Sequence, residues 1–331
     1  MENLWLFEPH EQNPPDRPGF AAALAAKVKQ AAEKGVYFGT SSWKYEGWIG
    51  QIYTPSRYQT RGKFSRRKFE ETCLAEYAAV FPVVCGDFSF YQFPAPDYWS
   101  RLFASAPPPL EFAFKVPEEI TVRTWPSHAR YGPRAGMEND AFLNAELFSR
   151  LFLEPLGPFR SRVAVLIFEF GAFPRSVYAH EEEFAGDLDR FLSQLDPGWR
   201  YAVEIRNPEF LGSAYLACLR RHGVAHVLNA WTRMPELGSQ MQAPGIETAD
   251  FVVTRALLRF GRSYEDAVAR FQPYSQVQDP NPAARSALRV IARRAIASKR
   301  RAYLFVNNRL EGNAPGTIDA VLGEDDFGSG D

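Results

Sequence analysis

The stretch Arg200-Tyr201-Ala202-Val203-Glu204-Ile205-Arg206 reads as a β-strand, because two different sets of residues alternate along it with a period of two. Tyr201, Val203 and Ile205 form an apolar set fit to pack beneath helices. Ala202, Glu204 and Arg206 share the other face, so a carboxylate and a guanidinium point into whatever the strand helps to enclose. Working outward, comparable runs rich in Val, Ile, Phe and Tyr start near Val36, Phe81, Glu111, Arg162, His226, Phe251 and Arg301. The segments between them read as helices. Phe184, Leu188, Phe191, Leu192 and Leu195 make one apolar stripe, and Leu288, Ile291, Ala292, Ala295 and Ile296 make another. Strands alternating with helices predict an α/β fold with a parallel sheet, and eight strands is the number that closes a TIM (β/α)8 barrel. A doubly wound open sheet is the alternative. It usually carries a glycine-rich phosphate turn, and neither GxGxxG nor GxxxxGK[ST] occurs in the chain.

The barrel domain is expected over residues 36–322. Residues 1–35 form an N-terminal extension with a helix from Phe20 to Lys34 stopped by Gly35, and 323–331 form a flexible Gly/Asp-rich tail. Asn281 before Pro282 is a candidate helix N-cap, Ser263 to Asp266 resembles a capping box, and Gly223 suits a helix end. Long loops are expected at 117–136 and 232–249. Each follows a strand and so belongs to the rim where barrels carry their sites.

A chain of 331 residues with 46% hydrophobic content can bury one full core. The 38 Lys and Arg nearly cancel the 39 Asp and Glu, which argues against a strong field that gathers nucleic acid or an anionic membrane. The run Arg285, Arg289, Arg293, Arg294, Lys299, Arg300, Arg301 reads as a solvated helix face. Cys73, Cys85 and Cys218 are widely spaced without a CxxC pair, so no disulfide framework is expected and a reducing, cytoplasmic setting fits. The apolar run Val163–Phe168 is too short to span a bilayer, and Glu2, Glu8 and Glu11 do not suit a secretion signal. His10, His222 and His226 fall away from the expected mouth, and His128 and His180 lie in loops without an HxH or HExxH pair. No metal and no cofactor are expected.

Polar residues gather where the strands end. In the third strand Phe112 and Phe114 face the helices while Glu111, Ala113 and Lys115 face the axis, with Glu204 as the expected partner of Lys115 across the barrel. Cys85, Asp87 and Ser89 share one side of the second strand, opposite Phe88 and Phe90; the sixth ends in Asn229 and Trp231, the seventh carries Arg255, and the eighth ends in Asn307 and Asn308. Barrel enzymes place chemistry at this end because separate loops converge there on one rigid mouth. The expected catalytic set is therefore Lys115, Glu204 and Arg206. Substrate contacts are expected from Asp87, Asn229, Arg255, Asn307, Asn308, Trp43 and Tyr91. The partner class is a small polar or anionic ligand, phosphorylated compounds included, bound by a metal-independent enzyme. An ion network that only satisfies itself, a nucleic-acid-binding or processing barrel and a non-catalytic ligand-binding protein are the alternatives.

Short motifs add a family resemblance. Gly39-Thr-Ser-Ser-Trp43, Tyr45, Gly47-Trp48 and Tyr53-Thr-Pro55 resemble the opening of the DUF72 proteins, also called the YecE-like family. Phe90-Tyr91 with Pro94, Lys115-Val-Pro117, Glu204 with Arg206-Asn207-Pro208, Asn307-Asn308, Glu311-Gly312 and Ala314-Pro315 follow in the family's order, so that the resemblance covers about Val36 to Ala320. It implies a TIM barrel of unestablished activity. The chain departs from the usual pattern at Cys85 and Asp87, at Thr121-Val122 and at Arg255-Ala-Leu257-Leu258. These positions commonly hold Glu and Asn, Thr-His and Arg-x-His-Gly, so the resemblance implies that this member lacks the family's Glu and His there.

Overall fold

Eight parallel strands close on themselves in the order of the chain: β1 (Val36–Thr40), β2 (Val83–Gly86), β3 (Glu111–Lys115), β4 (Val163–Glu169), β5 (Tyr201–Glu204), β6 (Ala225–Ala230), β7 (Phe251–Ala256) and β8 (Arg301–Val306), with β8 pairing back onto β1. The computed structural model describes residues 19–323. The expected lead-in over 1–18 and the tail from 324 onward lie outside the described residues. An α/β TIM-type barrel is thus the fold. No helix among the described residues is long and apolar enough to cross a membrane.

Strand alternation divides the core in two. Val83, Cys85, Ala113, Val165, Ile167, Ala202, Val227, Val253 and Phe305 fill the barrel interior as one packed cluster. Phe38, Phe112, Phe114, Leu166, Phe168, Tyr201, Val203 and Leu304 belong to the layer beneath the helices. Each fully buried large apolar side chain contributes about 1.5–3 kcal/mol, so the layer fixes which face of every strand looks at the axis. At the seam of β1 and β2 the pair Gly39 and Val83 comes close. A Cβ on Gly39 would lie 2.0 Å from the Val83 carbonyl oxygen, so only glycine lets the seam close.

The helix Phe20–Glu33 is part of the barrel's outer layer, placing Leu24, Val28 and Ala31 in the core and bonding Lys27 to Asp319 at 2.6 Å. Its chain ends at Gly35, in the left-handed region at φ 83°. Asn281 caps the helix Pro282–Ala297 by accepting from the Ala284 N–H at 3.1 Å, and Ser263 accepts from the Asp266 N–H at 3.0 Å. The arginines of Pro282–Ala297 are not a bare basic face: Arg285 grips the buried Glu311 at 2.7 Å and Arg294 reaches the Met241 carbonyl. The strand expected from Phe81 starts at Val83, because the Phe81 N–H still closes the preceding helix onto Tyr77 at 2.9 Å and Pro82 has no N–H to give a ladder.

Charge also collects where strands begin, which the sequence reading had confined to their ends. Glu111, Arg200, Arg301, Tyr37 and Tyr303 close the N-terminal end of the barrel. Tyr37 stacks on Tyr303 at 5.4 Å, Arg200 lies over Tyr303 and Arg301 over Tyr37, each at 5.9 Å. Burial raises the Glu111 carboxyl, and Arg200 and Arg301 oppose that rise.

Candidate active site at the C-terminal mouth

The inward positions at the C-terminal ends of β3, β4, β5 and β7 are Lys115, Glu169, Glu204 and Arg255, joined by Arg206 just after β5 and Asp87 just after β2. Three cations and three carboxylates therefore meet in one cluster. Lys115 Nζ lies 3.0 Å from Glu169 and 3.6 Å above the ring of Phe90. Arg206 gives Nε and Nη2 to one oxygen of Glu204, at 3.0 and 2.8 Å, and reaches Glu169 at 3.1 Å. Its other side stacks on Trp231, with the guanidinium carbon 3.5 Å from the ring centre. Arg255 Nη1 bonds to both Glu169 and Glu204.

The expected pairing of Lys115 with Glu204 does not form. β3 lies next to β4, which carries Glu169, whereas β5 is one strand further round, so the nearer carboxylate takes the ammonium. Glu204 is fully enclosed and divides its oxygens between Arg206 and Arg255. Glu169 is the residue that sequence reasoning missed. It continues the inward set Val165, Ile167, but the unbroken apolar run Val163–Phe168 hid the alternation, and a register shift against β3 between Val163 and Val165 breaks it at the start of the strand.

Electrostatics follow from this geometry. Burial pushes the Glu169 carboxyl up, but Arg206, Lys115 and Arg255 outweigh it and hold it well below the ordinary carboxylate range. Burial also works against the charge on Arg255, and Glu204 and Glu169 more than restore it. Burial pushes the Cys85 thiol, below them in the barrel, up to about 12.

Asp87 stands apart from the other two carboxylates. Its side chain is 36% exposed against 13% for Glu169 and 0% for Glu204, and its contacts are long, 4.0 Å to Lys115 and 3.5 Å to Arg255. The strand alternation that placed it stops at Gly86. Asp87 is already in the right-handed helical region and Phe88–Phe90 form one 3-10 turn, which sends Phe90 beneath Lys115 instead of away from it. Arg255 Nε and Asn229 Oδ1 are buried without a protein partner, while the Asn229 amide donates to the Ile205 carbonyl at 2.9 Å.

The remaining expected site residues are placed as follows. Tyr91 is 59% exposed on the rim, edge-on to Phe90 and beneath Arg130 of the loop 117–136 at 5.0 Å. Arg130 is held there by Glu118, which also accepts from Tyr131 at 2.9 Å. Trp43 is buried, edge against Phe88 and Phe112. Asn307 accepts from the Arg309 N–H at 2.9 Å, and Asn308 accepts from Trp48 Nε1 at 3.2 Å and the Ala314 N–H at 2.8 Å. Asn308 thus ties the opening Gly47-Trp48 motif to the start of the last helix. Glu311, beside it, accepts from Arg285, the Asn281 N–H and Thr317.

A sequence model of the family described as protein of unknown function DUF72 matches residues 37–324. The chain belongs to the DUF72 family. A DUF72 protein from Thermotoga maritima has a similar structure, with a TM-score of 0.56 at 18% identity over 87% of this chain and 96% of that one. A second, from Enterococcus faecalis, gives 0.56 at 15% identity over 87% and 95%. At these identities the likeness concerns the fold. No curated protein matches the sequence. In this DUF72 member the Glu311-Gly312 motif has a backbone reason: Gly312 has φ 110°, and a Cβ there would lie 2.8 Å from the Gln276 carbonyl oxygen.

Proposed function

We propose that the chain is an enzyme acting on a small anionic compound, a carboxylate or a phosphate ester, bound at the C-terminal mouth against Lys115, Arg206 and Arg255. The observation that carries this reading is the loose hold on Asp87. Glu169 and Glu204 are gripped at hydrogen-bond distance, whereas Asp87 is half-open and 3.5–4.0 Å from its cations. A ligand oxyanion of the same charge can take that place, gaining shorter charge-assisted bonds than the 3.5 Å one Asp87 accepts from Arg255. Arg255 Nε and Asn229 Oδ1 are further groups for it to satisfy, since an unpaired buried polar atom costs about 1–3 kcal/mol.

In this reading Lys115 and Arg255 stabilise negative charge on the substrate. Asp87, freed from them, is the proton-transfer group within reach. Glu204 and Glu169 hold the guanidiniums and the ammonium in place, a positioning role for the Glu204 that sequence reading made the acid or base. The donor set does not suit a metal ion, because three cations already surround Glu169.

The test is calorimetric titration of small carboxylates and phosphate esters into the wild type, Arg255→Gln and Asp87→Ala, with product analysis on each binder. Binding is expected to be lost in Arg255→Gln and kept or tightened in Asp87→Ala, with conversion lost in both. Binding that ignores both substitutions removes this site. Binding by the wild type without conversion of any binder replaces the enzyme with a ligand-binding protein.

A further inference from the structure

A second cluster lies at the opposite end of the barrel, between the helices Glu181–Leu192 and Ser213–Arg221. Asp189 projects from the first. Cys218 and His222, four residues apart, project from the same side of the second and its C-terminal cap. One donor atom from each, a carboxylate oxygen, the thiol sulfur and an imidazole nitrogen, all lie within 4.8 Å of one another. His222 Nε2 is already 2.8 Å from Asp189 Oδ1.

We propose that Asp189, Cys218 and His222 form a binding site for a divalent transition-metal ion of the zinc type, with a fourth position open to the adjoining cleft. Metal–ligand bonds of about 2.0–2.3 Å put tetrahedral donors roughly 3.3–3.8 Å apart, so the three need only small side-chain rotations to surround an ion. The mixed sulfur, nitrogen and oxygen set selects zinc or cobalt over magnesium or calcium, which take oxygen. Cys218 is buried and His222 and Asp189 are half-buried, the gradation of a site reached from one side.

That side is a cleft of about 710 Å³ lined by His222, Trp199, Arg200 and Asp250, at the starts of β5 and β7. Arg221 Nη1 bonds to Asp189 at 2.6 Å and is 63% exposed, so it can move to the second carboxylate oxygen and steady the ligand from outside. On binding, the Cys218 S–H bond breaks, its proton passes to solvent, and the sulfur electron pair forms the bond to the metal. The ion would pin two neighbouring helices together at a point where only side-chain pairs now join them. Sequence reading set His222 aside as lying away from the mouth and Cys218 for want of a CxxC pair, and Asp189 comes from a different helix.

The full chain, freed of metal by a chelator, is titrated with Co²⁺. One equivalent is expected to bind with a near-ultraviolet thiolate-to-cobalt charge-transfer band and the intense visible bands of four-coordinate cobalt, and Zn²⁺ should bleach both. Cys218→Ser should abolish the charge-transfer band, and His222→Ala and Asp189→Asn should each weaken binding at least tenfold. No such band at saturating Co²⁺, or a band that persists in Cys218→Ser, overturns the proposal. Should Cys218→Ser fail to fold, an undiminished band in a folded His222→Ala at a Co²⁺ concentration that half-fills the wild type overturns it as well.

Discussion

Lys115 and Glu169, on neighbouring strands, meet at 3.0 Å inside the mouth, and the carboxylate of that pair also receives Arg206 and Arg255. Glu169 is thus the one carboxylate that touches all three cations at hydrogen-bond distance, while Glu204 takes a share of Arg206 and Arg255. Removing it leaves Lys115 without a close carboxylate and two guanidiniums sharing Glu204 alone at low effective dielectric, which is where breaking a buried pair is costly.

Glu169→Gln should therefore lower stability at pH 7 by about 3 kcal/mol, read from the urea unfolding midpoint. The folded carboxyl sits well below its unfolded value, so its contribution is present above about pH 4.3 and disappears as pH falls through and below that value. The wild type should lose stability more steeply than the variant in that acid range. Parallel curves would show that Glu169 is not what neutralises the cluster.

His226 supplies a second, separate pH window. Burial holds its imidazole down to about 4 from 6.5, and Nδ1 is 3.0 Å from the Tyr215 hydroxyl. The neutral ring is favoured in the fold, so its contribution is complete above pH 6.5 and is lost as pH falls from there toward 4, by up to about 3 kcal/mol. His226→Phe should flatten the stability curve between those limits, whatever its effect at neutral pH.

At the seam between β1 and β2, Gly39→Ala should cost at least about 2 kcal/mol, since the new methyl meets backbone rather than a side chain that can rotate away. Thermal unfolding reads this directly. An unchanged midpoint would mean that the barrel closes with room to spare.

Asn308 divides a structural role from a ligand role. Asn308→Ala removes the acceptor for Trp48 Nε1 and for the Ala314 N–H, so it should reduce stability by about 1–2 kcal/mol. Its amide oxygen is taken while Nδ2 is buried without a protein partner, so small-anion affinity at the mouth decides between the roles, and a change within about twofold leaves Asn308 purely structural. A selective loss of binding without loss of stability would place Asn308 among the ligand contacts.

The barrel was legible because strand alternation is a local property. The apolar and inward sets of Tyr201–Glu204 and Glu111–Lys115 fall on the faces that their sequence predicts. Helix caps at Asn281 and Ser263 were equally readable. Partnership was not, because it depends on which strands are neighbours: Lys115 was matched to a carboxylate two strands away instead of the adjacent Glu169. Asp87 reached the site although the reasoning behind it was incomplete, since the strand ends at Gly86 and a helical turn carries the side chain onward. Glu111, Arg200 and Arg301 could not be told from mouth residues by charge alone. Only their position at strand starts puts them at the far end.

That far end bears on traffic. Stacked Tyr37 and Tyr303, with arginines over both, stopper the barrel's base, and Val165, Ile167, Val253 and Phe305 fill the space above them. Among the described residues the barrel interior is packed through to its base. A ligand bound at Lys115 and Arg255 as proposed would have to leave by the mouth it entered, on the side where Tyr91 and Arg130 form the rim.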